Sequence, residues 1–177
     1  MKNFKLNEKD ILSNQDWMFP TTTYYGPGRF NEIGKFCEEF DIKNPLIVTD
    51  SGSKDLPFIK KLIALLSKNN IKSDLFYNIS PNPRDDEISK GCDQFKNGSH
   101  DSIIAIGGGS AMDGGKSICL TVNSETPLWD FEFEQPVPKI TKENAFPKII
   151  TIPTTAGTGA ETEITAMVTH LEKGMKF

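Results

Sequence analysis

The stretch SIIAIGGGSAMDGGKSICLT, residues 102–121, decides the fold. Its apolar start, SIIAI, predicts a buried strand, and its second half, AMDGGKSICLT, predicts a helix. Three successive glycines separate the two elements, and they allow the backbone to approach a ligand without a Cβ clash. The free N–H groups and the positive dipole end of the helix point at the same place, so the turn predicts an anion site suited to a pyrophosphate. The glycines are Gly107, Gly108 and Gly109.

The helix is predicted to begin near Ser110, whose hydroxyl can cap it and donate to a phosphate oxygen. The plainer alternative is a glycine turn with an N-cap serine and no ligand. Two phosphate motifs fit poorly here. Met112 stands where GxGxxG needs a glycine, and Ser110 stands where a Walker A loop, GxxxxGK[ST], needs its first glycine. A phosphate-transfer enzyme built on the Gly-Lys-Ser of residues 115–117 stays open as an alternative.

Strand and helix patterns alternate along the rest of the chain. This alternation predicts an α/β fold, a Rossmann-like, doubly wound parallel sheet that binds ligands at the carboxyl ends of its strands. Residues 1–20 are predicted to be a polar arm, and residues 21–177 a single dinucleotide-binding domain. The polar, proline-bearing stretch 123–147 is predicted to be a surface excursion. The further strands are predicted at 21–26, 45–50, 71–78 and 148–153, and the further helices at 29–40, 56–68 and 85–96.

Composition excludes several classes of protein. With 177 residues and a net charge of −4, the chain lacks the basic surplus that non-specific nucleic-acid binding requires. No apolar run approaches the length of a membrane span. Three cysteines without CxxC spacing favour a reducing cytoplasm over a disulfide framework, and Cys119 is predicted to lie in the core. His100 and His170 lack metal-ligand spacing, so both are predicted to be surface or loop residues and no metal site is assigned.

Three further features suit a dinucleotide. Asp50 ends the strand at 45–50, where a carboxylate would bind the ribose and repel a 2′-phosphate, which favours NAD over NADP; a turn residue is the alternative. Asp113 and Lys116 share a helix face, either as a surface ion pair or as groups that order the glycine turn and meet the ligand. The segment PTTAGTGAE, residues 153–161, concentrates hydroxyls and glycines after the last strand, as suits phosphate, ribose or carboxamide recognition.

Taken together, GGGSAMDGGKSI and TIPTTAGTGAETE resemble the iron-containing (group III) alcohol dehydrogenase family. That family shows GGGSxxDxxK followed by a PTTxGTGSE-like segment at about this separation, and the likeness runs from FPTTTYYGPGRF onward. Ala160 departs from the pattern, since many members have Ser there. The resemblance implies an N-terminal dinucleotide-binding domain joined to an all-helical domain. In that helical domain an aspartate and three histidines hold iron or zinc.

The resemblance also implies roles for individual residues. Asp50 should hold the ribose, residues 108–113 should cradle the pyrophosphate, and Asn82 should lie near the nicotinamide side. Three threonines and two residues of a following hairpin-like segment should complete the cofactor wall. The cofactor-binding residues are therefore expected to be Asp50, Asn82, Gly107, Gly108, Gly109, Ser110, Asp113, Lys116, Thr154, Thr155, Thr158, Met167 and Lys176.

The function implied by the resemblance is hydride transfer between a primary alcohol or aldehyde and NAD, in a metal-dependent enzyme. A homo-oligomer is a candidate assembly. The chain is expected to be truncated before the helical metal-binding domain, so no catalytic or metal-ligating residue is assigned within it. By itself it is expected to lack dehydrogenase activity. A stand-alone nucleotide-binding module without catalysis stays open as a second alternative.

Overall fold

A sheet of four parallel strands forms the centre of the protein in the computed structural model, which describes residues 21–136, 138–139 and 146–176. The strands are β1 (Pro45–Asp50), β2 (Asp74–Ile79), β3 (Ser102–Gly107) and β4 (Lys148–Pro153). Their order across the sheet is β2-β1-β3-β4. The chain therefore passes from β1 to β2 at one edge of the sheet, and then crosses to β3 on the opposite side of β1. Ligands bind at such a switch point in open α/β sheets.

Helices cover both faces of this sheet. They are α1 (Ile33–Glu39), α2 (Pro57–Lys68), α3 (Asp85–Asn97) and α4 (Gly109–Thr121), and a 3₁₀ helix, Arg29–Glu32, leads into α1. One apolar cluster joins α1 and α2 to the sheet, and a second joins α3 and α4 to its opposite face. The predicted doubly wound α/β fold is confirmed.

Successive residues of the central strand β3 point into different clusters. Ile103 packs with the side chains of α3 and α4, whereas Ile104 packs with those of α1 and α2. All six residues of β3 are buried. A strand covered on both faces needs a continuous apolar run, and SIIAIG supplies it. This is why β3 could be predicted from its composition.

Two predicted strands differ from the structure. The strand expected at 21–26 does not form; instead the Tyr24 ring lies 4.4 Å from that of Phe36, and its hydroxyl donates to Glu39 at 3.0 Å. Aromatic and β-branched residues favour a strand only where a partner strand is present. The strand expected at 71–78 begins later, at Asp74. The amide of Ile71 donates to the carbonyl of Leu66 at 3.0 Å and so closes the end of α2.

Two smaller features follow α4 and β4. A 3₁₀ helix, Leu128–Phe131, lies in the predicted surface excursion, but Leu128 and Trp129 pack against the core. A short antiparallel hairpin joins β5 (Thr169–His170) to β6 (Met175–Lys176). The predicted arm, residues 1–20, lies outside the described residues. Within the described part of the chain, no helix combines the length and hydropathy that crossing a membrane requires.

Helix α4 packs unusually close to the sheet because small residues meet at the contact. A Cβ on Gly115 would lie 2.5 Å from the Cβ of Ala105 in β3. Cys119, on the same helix, is buried, as predicted. The position of the α4 N-terminus, and of the glycine turn before it, is therefore set by contact between the helix and β3.

We expect Gly115→Ala to destabilise the chain although alanine favours helix. Overpacking of this kind costs about 1–3 kcal/mol, against a gain in helix propensity of about 1 kcal/mol. Urea unfolding measures the difference. Ser89→Ala, at an exposed position of α3, is the control and should change the free energy of unfolding by less than about 0.5 kcal/mol. Unchanged stability in Gly115→Ala would show that α4 can move away from β3 at no cost.

Candidate functional site

The glycine turn connects β3 directly to α4. Gly107 has a φ of 148°, and a Cβ there would lie 2.7 Å from the Cβ of Ala111. Gly108 is the N-cap of α4, and the first amide to bond back to it is that of Met112, at 3.2 Å. The amides of residues 109–111 precede the first intrahelical bond of α4. Free amides of this kind allow a helix N-terminus to bind an anion, so the geometry is compatible with the anion site that the sequence predicts.

Ser110 does not cap the helix, so that part of the prediction is wrong. The cap is Gly108, without a side-chain hydrogen bond, and Ser110 already lies in the first helical turn. Its hydroxyl donates to the carbonyl of Pro81 at 2.5 Å. Ser110 therefore fastens the start of α4 to the turn after β2. The glycines occupy the capping position because side chains there would meet the neighbouring loop.

The threonine-rich segment after β4 lies across the glycine turn. The Thr154 amide donates to the carbonyl of Gly107 at 2.8 Å. A Cβ on Gly108 would lie 3.3 Å from Thr155 Oγ1, and one on Gly109 would lie 3.1 Å from Thr158 Cγ2. The structure thus brings the two sequence motifs together, as adjacent parallel strands require. Hydroxyls and free amides line the two sides of one crevice.

Asp50 lies at the carboxyl end of β1, beside the same turn. Its carboxylate accepts hydrogen bonds from the Gly52 amide at 3.0 Å and the Ser53 hydroxyl at 2.7 Å. A Cβ on Gly107 would come within 3.2 Å of Asp50 Oδ2. Asp50 is therefore a turn residue and also lies next to the crevice. The two roles are compatible, because a carboxylate has about four acceptor positions.

Asp113 and Lys116 form an ion pair that is largely buried. Lys116 Nζ lies 3.4 Å from Asp113 Oδ1, and the two side chains are only 15% and 16% exposed. The ammonium also donates to the carbonyls of Glu163, at 3.4 Å, and of Thr165. The surface-pair alternative is therefore wrong. Lys116 ties α4 to the segment after β4, and it lies behind the crevice.

Burial raises the pKa of Asp113 above its ordinary value. The charge of Lys116 and the backbone amide of Met167 act in the opposite direction and lower it, but burial is the largest effect. Removal of a carboxylate from water disfavours its charged form, and an adjacent cation only partly restores it. The charged form of Asp113, beside the crevice, is therefore less favourable than that of an aspartate in water.

A cleft of about 310 Å³ opens at the start of α4. Six of the thirteen predicted residues line it, and the others lie along the glycine turn, behind the cleft or at its edge. Asn82 is at that edge, where its Oδ1 accepts a hydrogen bond from Lys176 Nζ at 3.1 Å. Three lining residues were not predicted, although they continue the same polar stretch: Ala160, Glu163 and Thr165. The six predicted residues are Gly109, Ser110, Asp113, Thr158, Met167 and Lys176.

The histidines lie apart from this cleft. His100 is in a loop but is buried, so its prediction as a surface or loop residue is only half right; its Nδ1 lies 3.0 Å from the carbonyl of Asn44. His170 is in β5 and is half-buried against Trp129. No group of three or more His, Cys, Asp or Glu side chains that could hold a metal is found among residues 21–136, 138–139 and 146–176.

The Walker A alternative is not supported by the geometry. Its phosphate loop would lie at Gly114 and Gly115, but both glycines are buried inside α4. A Cβ on Gly114 would lie 2.8 Å from Ile79 of β2. These glycines serve close packing between a helix and a sheet, and they form no loop around a phosphate.

Comparison with known proteins identifies one family for most of the chain. The model of the family described as "Iron-containing alcohol dehydrogenase" matches residues 20–177. The 1,3-propanediol dehydrogenase of Klebsiella pneumoniae is 29% identical over 164 residues, which are 92% of this chain and 41% of that protein. The NADH-dependent butanol dehydrogenase A of Clostridium acetobutylicum is 31% identical over 163 residues, 92% of this chain and 40% of that protein.

A solved structure has a similar fold. The sulfoacetaldehyde reductase of Bifidobacterium kashiwanohense, solved in complex with NAD⁺, superposes with a TM-score of 0.80 at 27% identity. The match covers 93% of this chain and 42% of that one. The chain thus spans about two fifths of the length of the relatives it matches.

The raised pKa of Asp113 predicts a pH-dependent stability. The folded chain binds a proton there more tightly than the unfolded chain, so the free energy of unfolding should fall as pH rises from about 4 through the raised pKa. Asn cannot titrate, so this part of the decline should be absent in Asp113→Asn. Urea unfolding of both chains across that pH range measures it. Parallel pH profiles for the two chains would contradict the assignment.

Proposed function

The chain belongs to the iron-containing alcohol dehydrogenase family, and on that premise we propose that it is the NAD-binding part of a metal-dependent alcohol dehydrogenase. One observation carries the proposal. The glycine turn at the N-terminus of α4 faces the threonine segment after β4, with Asp50 beside it. A dinucleotide offers a pyrophosphate to the glycine turn, polar ribose and carboxamide groups to the threonine segment, and a ribose diol to Asp50.

The residues of this chain bind and orient the cofactor. The first amides of α4 bind the pyrophosphate, and the absence of side chains on Gly107, Gly108 and Gly109 leaves room for its approach. Asp50 accepts the hydroxyls of the adenosine ribose. Met167 and Lys176 complete the wall of the cleft, and Asn82, which accepts a hydrogen bond from Lys176, is assigned to the nicotinamide side. A nicotinamide bound there would supply the acceptor for the hydride that the alcohol loses.

The metal of the family does not fit the described residues, since they provide no cluster of ligands for it. We therefore assign no step of the reaction to a metal held by this chain, and we expect the chain by itself to be inactive. Small primary alcohols or aldehydes are the proposed substrates, because relatives are named for propanediol and butanol. The three cysteines are all unpaired, which favours a cytoplasmic protein.

We expect the chain to bind NADH and not ATP–Mg, since the Gly-Lys-Ser sequence lies inside a helix. Titration calorimetry with each ligand measures this. ATP–Mg binding without NADH binding would favour the phosphate-transfer alternative and overturn the dehydrogenase proposal. NADH binding that persists in a full-length protein without turnover of any alcohol would favour the stand-alone nucleotide-binding module.

Asp50→Gly should relax the preference for NADH over NADPH, because its carboxylate repels a 2′-phosphate. We expect the ratio of the two dissociation constants to shift by about tenfold, which corresponds to about 1.4 kcal/mol. Asp55→Gly, at an exposed position of the same loop, is the matched control and should leave the ratio unchanged. An unchanged ratio in Asp50→Gly would remove Asp50 from the ribose role.

A further inference from the structure

A carboxylate outside the cleft joins three separate segments of the chain. Asp85, the first residue of α3, accepts a hydrogen bond from Trp129 Nε1 at 3.2 Å. It also accepts the backbone amide of Leu171, which lies 3.3 Å and 3.4 Å from its two oxygens. His170 Nδ1 lies 3.6 Å from the same carboxylate. Asp85 therefore connects the 3₁₀ helix after α4 and the β5–β6 hairpin to the start of α3.

The two aromatic partners of Asp85 also stack on each other. The ring centroids of Trp129 and His170 are 4.6 Å apart, and the ring planes differ by only 10°. Trp129 packs in turn against the apolar cluster between the sheet, α3 and α4. The stack thus holds His170, and with it β5, against the body of the domain.

The hairpin depends on such contacts for its position. β5 and β6 have two residues each, and residues 171–176 are all exposed. A two-stranded hairpin is at best marginally stable by itself in water. The Thr169 amide donates to the carbonyl of Pro83 at 2.7 Å, and Lys176 binds Asn82, so these contacts reach the turn that leads into α3.

Two cleft-lining side chains lie just before this hairpin and at its end. Met167 precedes β5 and Lys176 ends β6, and both face the start of α4 across the cleft. A displacement of the hairpin would move Lys176 away from Gly109 and Ser110, and it would strain the chain at Met167, whose amide is bound to Asp113. Asp85 is therefore one of the contacts that hold this side of the cleft in place, although it lies at a distance from the cleft itself.

We propose that Asp85 is a positioning residue for the cofactor. Together with Trp129 and His170 it docks the hairpin, so that Met167 and Lys176 form one wall of the cleft. The inference rests on the NAD site proposed above, and it adds to that site residues that lie in neither of the two glycine-rich motifs. Asp85 acts through the hairpin and does not line the cleft.

Capping of α3 is the competing explanation, since acidic residues are favoured in the first turn of a helix. Asp85 shares that role with neighbouring carboxylates, since its Oδ1 also accepts the Asp86 amide at 2.9 Å. Glu87 accepts the backbone amide of Arg84 at 3.1 Å, and Asp86 pairs with Arg84 at 2.9 Å and with Lys90 at 2.8 Å. Asp86 therefore shares the charge and the helical turn of Asp85, but its partners lie in and just before α3. It is the matched control.

The experiment compares the 177-residue chain with its Asp85→Ala and Asp86→Ala variants. NADH affinity is measured by titration, hairpin docking by hydrogen exchange at the amides of 168–176, and stability by urea unfolding. If only a tenth of the Asp85→Ala molecules keep the hairpin docked, the apparent dissociation constant rises about tenfold. The Leu171 amide should exchange faster in this variant. Asp86→Ala should keep its NADH affinity within about twofold.

Two further variants keep the test decisive. Asp85→Asn retains an acceptor oxygen and should recover part of the NADH affinity. Trp129→Phe keeps an aromatic ring on His170 but loses the indole N–H; it should weaken NADH binding about fivefold, the value of one lost hydrogen bond. The Trp129→Phe result decides the question if Asp85→Ala does not fold.

Each contrary outcome has a distinct meaning. If the unaltered chain binds NADH and Asp85→Ala binds it equally well, the positioning role is overturned and the NAD site stands. Equal losses of affinity in Asp85→Ala and Asp86→Ala assign Asp85 to helix stability and also overturn the role. If the unaltered chain does not bind NADH, the proposed function fails, and the positioning role fails with it.

Discussion

The close contact between α4 and the sheet is the constraint on which the candidate site depends. Gly115 meets Ala105 without an intervening side chain, so the helix axis lies near β3. At the start of the same helix, Gly107 adopts a φ of 148° and leaves no room for a Cβ beside Ala111. The chain can then enter α4 directly from the strand. This places the free amides of the helix at the switch point of the sheet, where a second loop can reach them.

The sequence predicted what depends on local pattern and on burial. β1, β3 and β4 were placed within one residue, since β1 and β3 are buried continuous apolar runs and β4 is a mainly apolar run beside them. Two predictions outside these apolar runs were wrong, because contacts with other elements decide the structure there. The residues at 21–26 have high strand propensity, but Tyr24 packs on α1. The beginning of β2 was misplaced because the amide of Ile71 completes the end of α2. Such competition between hydrogen-bond partners is decided by tertiary structure.

The candidate site was predictable in its composition and less so in its connections. The motifs identified the glycines and threonines, and the sheet topology brings them together. The sequence did not specify the hydrogen-bond partners of the polar side chains. Ser110 was expected at the cap but bonds to Pro81, and Lys116 binds carbonyls behind the cleft. His100 is buried without a local apolar pattern to predict it, because part of its surroundings comes from residues distant in sequence, Asn44 and Asp74.

These connections suggest how a cofactor cleft can have a rigid side and an adjustable side. The glycine turn and the threonine segment follow the neighbouring strands β3 and β4 and are fixed by packing and backbone hydrogen bonds. The opposite wall lies on an exposed hairpin, which is held by side chains at a distance from the cleft. The rigid side can recognise the pyrophosphate, whose geometry is common to every dinucleotide. The hairpin side depends on contacts made by Asp85, Trp129 and His170, so changes at these residues can alter this wall without altering the glycine turn.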